Sequence, residues 1–156
     1  MYNWFECKIK YDKTGDDGII KTVTEAYLVD ALSFTEAEAR MNIEMKPYIS
    51  GEWLVANIKR VKIAELFDSV NTAADRWYRS KVLFVSLDEE KGIEKRVAST
   101  MYVKAEDIKE ALANLFEGMK GNLSDFEVAS ITETSIMDVY NYAPVANVTP
   151  VDGIEQ

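Results

Sequence analysis

Two short stretches, MKPYISGEW (residues 45–53) and MKGNLSDFE (residues 119–127), share a pattern that organises the whole chain. In both, Met-Lys is followed by two variable residues, an aliphatic residue and Ser. Matched pairs recur along the chain at separations of 73 or 74 residues: Trp4 with Trp77, Lys8 with Lys81, and Trp53 with Phe126. The spacing changes only by single residues, which loops tolerate, so the sequence predicts one structural unit that occurs twice.

Each half contains the same series of local signals. FECKIKY (residues 5–11) alternates apolar and polar residues, and KTVTEAYLV (residues 21–29) is rich in β-branched residues, so the two predict a hairpin. A helix begins at a capping box, Ser33 to Glu36 in the first half and Asp107 to Glu110 in the second. EWLVANIKRVKIAELF (residues 52–67) and FEVASITETSIMDVY (residues 126–140) then predict a long third strand in each half, bulged where the alternation slips.

The predicted fold is α+β, a tandem duplication of a strand-strand-helix-strand unit. We expect antiparallel sheets, one helix per repeat and a pseudo-twofold relation. The boundaries are residues 1–68 for the first repeat, 69–76 for the joint, 77–142 for the second repeat and 143–156 for a mobile tail. Because such small units bury little surface alone and the joint is poor in flexible-linker residues, the repeats are expected to form one compact domain.

The composition excludes several classes of chemistry. A formal net charge of −9 argues against a surface that attracts nucleic acid or anionic lipid everywhere, so any such binding must be local. The absence of histidine removes the commonest general base, the usual zinc ligand and the Ser-His and Cys-His nucleophile systems. Cys7, the only cysteine, is in phase with Phe5 and Ile9 and is therefore predicted to lie in the core.

These observations predict a protein without catalytic residues, metal or cofactor. The acidic pairs at Asp16 and Asp17 and around Asp88, with Glu36 and Glu38, follow no calcium-loop spacing and are interpreted as solvated charge. An enzyme that uses these carboxylates is the third-ranked alternative. The lack of a long apolar run or a signal-like N-terminus predicts a cytoplasmic protein with no membrane partner.

The ordered part of the chain resembles a family of Bacteroidales and phage-associated proteins known only as a domain of unknown function (DUF4494-like). The stretches that carry the resemblance are NWFECKIKYDKT, YLVDALSFTEAEAR, ISGEW, IKRVK, DRWY and EGMKG. The resemblance implies no activity, cofactor or site residue. Any function must therefore be inferred from the residues themselves.

A sheet face with aromatic and basic residues is the main candidate site. In the first strand Trp4, Glu6, Lys8 and Lys10 share a parity, and Trp77, Arg79 and Lys81 share the matching one in the second half. The third strand adds Lys59, Arg60 and Lys62. Single-stranded DNA or RNA is recognised by bases stacking on aromatic rings while Lys and Arg neutralise phosphates. The pattern therefore predicts a single-stranded nucleic-acid-binding accessory protein of phage or mobile-element type.

Two other interpretations of this face remain open. A Trp at a strand start often closes the edge of a core, and outward Lys residues often serve only solubility and edge protection. Alternatively, the protein is an adaptor or structural subunit that forms a dimer through a sheet face or edge, or recruits a protein partner through its C-terminal tail.

Overall fold

The computed structural model describes residues 3–141, and within that range the protein is α+β, as predicted. The first half contains β1 (Asn3–Thr14), β2 (Ile20–Ala31), α1 (Phe34–Met45), β3 (Trp53–Val61) and β4 (Glu65–Phe67). The second half contains β5 (Arg76–Asp88), β6 (Ile93–Ala105), α2 (Ile108–Gly118), β7 (Asp125–Glu133) and β8 (Ile136–Tyr140). The predicted tail, residues 143–156, lies outside the described residues.

The strands form two four-stranded sheets. The first sheet has the order β3-β1-β2-β8 and the second has the order β4-β6-β5-β7. In each sheet the hairpin and the strand after the helix pair antiparallel, as predicted. The fourth strand is short and parallel to its neighbour, which the sequence interpretation missed. Neither α1 nor α2 is long and apolar enough to cross a membrane.

The prediction of one long third strand at residues 52–67 and another at residues 126–140 was wrong. Each is two strands, because the chain leaves the ladder after Val61 in one half and after Glu133 in the other. The short second piece then joins a different sheet. As a result, the chain divides into two compact units, one made of residues 3–61 and 136–141 and the other of Lys62–Ser135.

The pairing register recurs between the halves. The ladder between β1 and β3 shifts between Lys8 and Ile9, and that between β5 and β7 shifts at the matched positions, Lys81 and Val82. The extra residue in each case lies in the strand after the helix, which is the bulge that the broken alternation predicted. The same order and register in both halves agree with the predicted duplication, while the pseudo-twofold relation stays a prediction.

Each sheet packs one face against its own helix. The first core contains Phe5, Cys7 and Ile9 beneath Met41 and Met45, all of them essentially inaccessible to solvent. The second core is formed by Val82, Met101, Val103, Leu115 and Met119. Burial of large apolar side chains contributes roughly 1.5–3 kcal/mol each, so these packed faces supply much of the stabilisation.

Both helices begin at the predicted caps. Ser33 Oγ accepts a hydrogen bond from the Glu36 N–H at 3.1 Å, and Asp107 Oδ1 accepts one from the Glu110 N–H at 2.8 Å. The two glutamates return the interaction, because each accepts a hydrogen bond from the N–H of the residue before the cap. The capping residues therefore fix where each helix leaves its hairpin.

Candidate nucleic-acid interface

The face of the first sheet opposite α1 will be called the first outer face. Trp4, Lys8 and Lys10 lie on it because alternate residues of β1 point to opposite sides and Phe5, Cys7 and Ile9 occupy the core. Lys59 pairs with Glu6 across β1 and β3 and therefore joins them. Lys8, Lys10 and Lys59 are exposed, and Trp4 is partly exposed. The first outer face thus brings four predicted site residues together.

Arg60 is a correction to the predicted site. It pairs with Phe5 on the adjacent strand, and residues directly opposite each other share a face, so Arg60 points to the helix side of the sheet. Its guanidinium carbon lies 5.7 Å from the ring centroids of both Phe5 and Phe34. This cation–π arrangement gives Arg60 a structural role. Lys62 lies beyond β3, in the second unit, and is not part of the first outer face.

The face of the second sheet opposite α2, the second outer face, contains Trp77, Arg79 and Lys81. Arg79 and Lys81 are exposed, whereas Trp77 is only 2% exposed. The Lys104 ammonium lies 5.9 Å from the centroid of the Trp77 ring. A base cannot stack on a ring that has no accessible face, so Trp77 is removed from the predicted stacking residues.

The two outer faces together carry five exposed cations, and the cross-strand neighbours are neutral at four of them. The five are Lys8, Lys10, Lys59, Arg79 and Lys81. Lys81 lies between Thr100 and Ser130, and Arg79 lies between Tyr102 and Thr132. On the first outer face, Lys8 pairs with Ala26 and Asn57, and Lys10 pairs with Thr24 and Leu54. Hydroxyl and amide groups beside Lys and Arg can donate hydrogen bonds to phosphate oxygens. Only Lys59, opposite Glu6, has a carboxylate as its direct neighbour.

The five cations are also free of ion pairs within residues 3–141. The salt bridges found there, with nitrogen–oxygen distances up to 4.0 Å, involve three other cations: Arg76, Arg96 and Lys120. The protein has more acidic than basic residues, so carboxylates could have been placed to form ion pairs with Lys8 or Lys81. Because no such ion pair forms, the positive charge of these lysines is available for an external anion.

A groove beside Lys10 was missed by the sequence interpretation. It has a volume of about 420 Å³ and lies where β3 begins, lined by Lys10, Asp12, Glu52, Trp53 and Leu54 among others. Trp53 pairs with Tyr11, packs against the first core and presents part of its side chain to the groove. The sequence alone does not show this groove, because Trp53 is far from Lys10 in the chain. The two come together only when β3 is aligned with β1, which places Trp53 opposite the residue after Lys10.

Three tyrosines lie on the helix side of the first sheet. The hydroxyl groups of Tyr11 and Tyr27 both donate hydrogen bonds to Glu25 Oε1, at 3.0 and 3.1 Å. The Tyr140 ring stacks on the Tyr27 ring with centroids 6.0 Å apart. Burial, followed by the nearby Glu25 charge, raises the pKa of Tyr27, and burial also raises the pKa of Tyr140. These phenols are therefore neutral near neutral pH and do not serve as bases.

The chemistry predicted for Cys7 agrees with its position. The side chain is inaccessible, and burial, with a smaller contribution from the Glu6 charge, raises the pKa of its thiol to about 12. The nucleophilic thiolate is accordingly suppressed. Within the described part of the chain, no group of three or more acidic or cysteine side chains is placed to hold a metal ion.

A family model, Domain of unknown function (DUF4494), matches residues 3–142. The chain belongs to this family. The DUF4494 match spans both halves and thus includes both outer faces and the groove. No curated protein and no solved structure is significantly similar to the chain. The family membership assigns no activity, and the association with Bacteroidales and phages stays a prediction from the resemblance.

Proposed function

We propose that this DUF4494 protein is a non-enzymatic binding protein that contacts single-stranded DNA or RNA through its two outer faces. The observation that carries the proposal is the set of exposed cations without ion-pair partners in residues 3–141: Lys8, Lys10, Lys59, Arg79 and Lys81. Lys8 and Lys81 occupy matched register positions beside the two bulges. We also propose that the protein is cytoplasmic and of phage or mobile-element type.

The chemistry of these faces favours contacts with the phosphate backbone. Lys and Arg release counterions when they neutralise phosphates, which makes binding strongly dependent on salt. The hydroxyl groups of Thr100, Ser130 and Thr132 can add hydrogen bonds beside Lys81 and Arg79. A strand face with cations two residues apart, about 6.7 Å along the chain, suits an extended single strand. Stacking contributes less than the sequence predicted, because Trp77 is buried.

Charge reversal tests the proposal. We expect Lys8→Glu with Lys81→Glu to weaken binding of a labelled single-stranded oligonucleotide at least tenfold, and to make the salt dependence shallower by roughly one to two in slope, since about 0.7 is lost per phosphate contact. Fluorescence anisotropy measures both quantities.

The matched control is Lys95→Glu with Lys109→Glu, two exposed lysines of the second unit outside the predicted set. This control makes the same change in net charge and should weaken binding much less. Equal losses in the two double variants would contradict binding at the outer faces, because they would report net charge alone.

A second candidate, a protein–protein adaptor, is favoured by an apolar stripe on α2. Ile108, Leu112 and Phe116 recur every four residues and are 55%, 40% and 49% exposed. The matched positions on α1 after Phe34 are Glu38 and Asn42. Dimerisation through a sheet edge is less favoured, because β3 and β7 are bulged and β4 and β8 are short.

The stripe makes the adaptor alternative testable. If the protein is a dimer through α2, Leu112→Lys with Phe116→Lys should convert it to a monomer, as measured by light scattering, whereas Lys8→Glu with Lys81→Glu should leave its mass unchanged. A monomeric mass for the unaltered protein across a range of concentrations would contradict self-association through the stripe.

A further inference from the structure

We propose that the groove at the start of β3 receives a base of the bound strand, with Trp53 as the aromatic contact and Lys10 on the adjoining phosphate. This inference rests on the proposed function and names the stacking site that Trp77 cannot provide. Lys10 belongs to both the first outer face and the groove wall, so a strand that contacts Lys10 passes the groove opening.

The groove has the size of a small-molecule site. Its volume of about 420 Å³ lies within the usual range of pockets for small ligands. Leu54, 55% exposed, and Trp53 supply apolar surface, and β1 continues past the start of β3, so its edge is unpaired there. A planar base that entered would bury apolar surface against the accessible part of the Trp53 ring.

The groove also has polar groups that suit the edge of a base. The carboxylates of Asp12 and Glu52 line the same groove, and carboxylates accept hydrogen bonds from the exocyclic amino group of cytosine. An oligo(dC) strand is therefore the appropriate probe.

The first test compares oligo(dC) with an abasic oligonucleotide of equal length and charge, both titrated into the unaltered protein. Stacking predicts that oligo(dC) binds roughly five- to 150-fold tighter, with the same salt slope, because the phosphate contacts are common to both probes. Equal affinity for the two strands would overturn the base site while leaving the proposed function intact. Absence of binding to either strand at about 50 mM salt would overturn the proposed function, and the base site with it.

Tryptophan fluorescence provides the second test. Oligo(dC) should quench the intrinsic fluorescence of the unaltered protein, and Trp53→Phe should abolish most of that quenching, whereas the control Trp77→Phe, at a ring that is only 2% exposed, should retain it. Circular dichroism checks that both variants are folded. Quenching that persists in a folded Trp53→Phe variant, or no quenching of the unaltered protein when it binds the strand, would assign the contact elsewhere and overturn the inference.

Discussion

Burial decides which of the aromatic side chains can reach a ligand. Trp4 and Trp77 occupy matched positions in the ladders of their own sheets. Nevertheless, Trp4 is partly exposed, whereas Trp77 is only 2% exposed. Alternation along a strand predicts the side of the sheet correctly for both. It cannot predict accessibility, which depends on contacts distant in the sequence. The basic residues were easier to place, because Lys8 and Lys81 are long, charged and almost never buried without a partner.

Gly118 lies where there is no room for a larger side chain. A Cβ at this position would lie 2.6 Å from two ring carbons of Phe67, so the ring on β4 would have to move. We expect Gly118→Ala to lower the free energy of unfolding by about 1–3 kcal/mol, although alanine is the better helix former. In a Phe67→Ala background the same change should become neutral or stabilising. Urea unfolding measures both, and a stabilised Gly118→Ala single variant would contradict the predicted clash.

Cys7 should be chemically silent in the folded protein. Because its pKa is raised to about 12 from a usual value near 9.0, the stabilisation linked to its neutral form is fully present below pH 9 and is lost as the pH rises toward 12. A thiol reagent at pH 8 should therefore react with Cys7 only in denaturant. Rapid modification of the native protein would show that the first core is open.

At the scale of secondary structure, local signals predicted most of the molecule. Alternation identified the hairpin strands, the capping boxes identified both helix starts, and broken alternation identified both bulges. The division of the third strand was not predictable in the same way. Residues 62–64 contain neither Gly nor Pro, and the apolar pattern continues through them, so no local signal marks the point at which the chain changes sheet.

The helix caps can be tested separately. Ser33→Ala and Asp107→Ala should each lower the free energy of unfolding by about 1 kcal/mol, because each leaves an N–H of the first helical turn without its acceptor. Thr35→Ala, an exposed position in the first turn of α1, is the control and should have little effect. A cap substitution that costs no more than this control would show that solvent replaces the hydroxyl or carboxylate at no cost.

For the chain as a whole, neither compact unit has the boundaries of a predicted repeat. The first unit needs β8 beside β2, and the second unit contains β4, which follows the first helix in the chain. Family membership and the α+β class could be inferred from sequence, and so could most of the basic positions. The exchange of the short strands and the groove beside Trp53 required the pairing of distant segments.

This topology predicts that the halves are not independent. A fragment of residues 1–68, the predicted first repeat, lacks β8 and therefore leaves the β2 edge and Tyr27 uncovered. We expect the fragment to unfold without a cooperative transition in urea, whereas the complete chain shows one. Cooperative unfolding of the fragment would show that β8 is dispensable, provided that its free energy of unfolding falls with urea concentration at a slope proportional to the size of the fragment.

The affinity of the unaltered protein for a single-stranded oligonucleotide, measured between about 50 and 200 mM salt, shows whether the outer faces bind the phosphate backbone. If Lys8, Lys10, Lys59, Arg79 and Lys81 all contact phosphates, log Kd should rise with log salt with a slope of roughly 3.5, from about 0.7 per contact on a single strand. No detectable binding at about 50 mM salt, or an affinity that does not change with salt, would contradict the account.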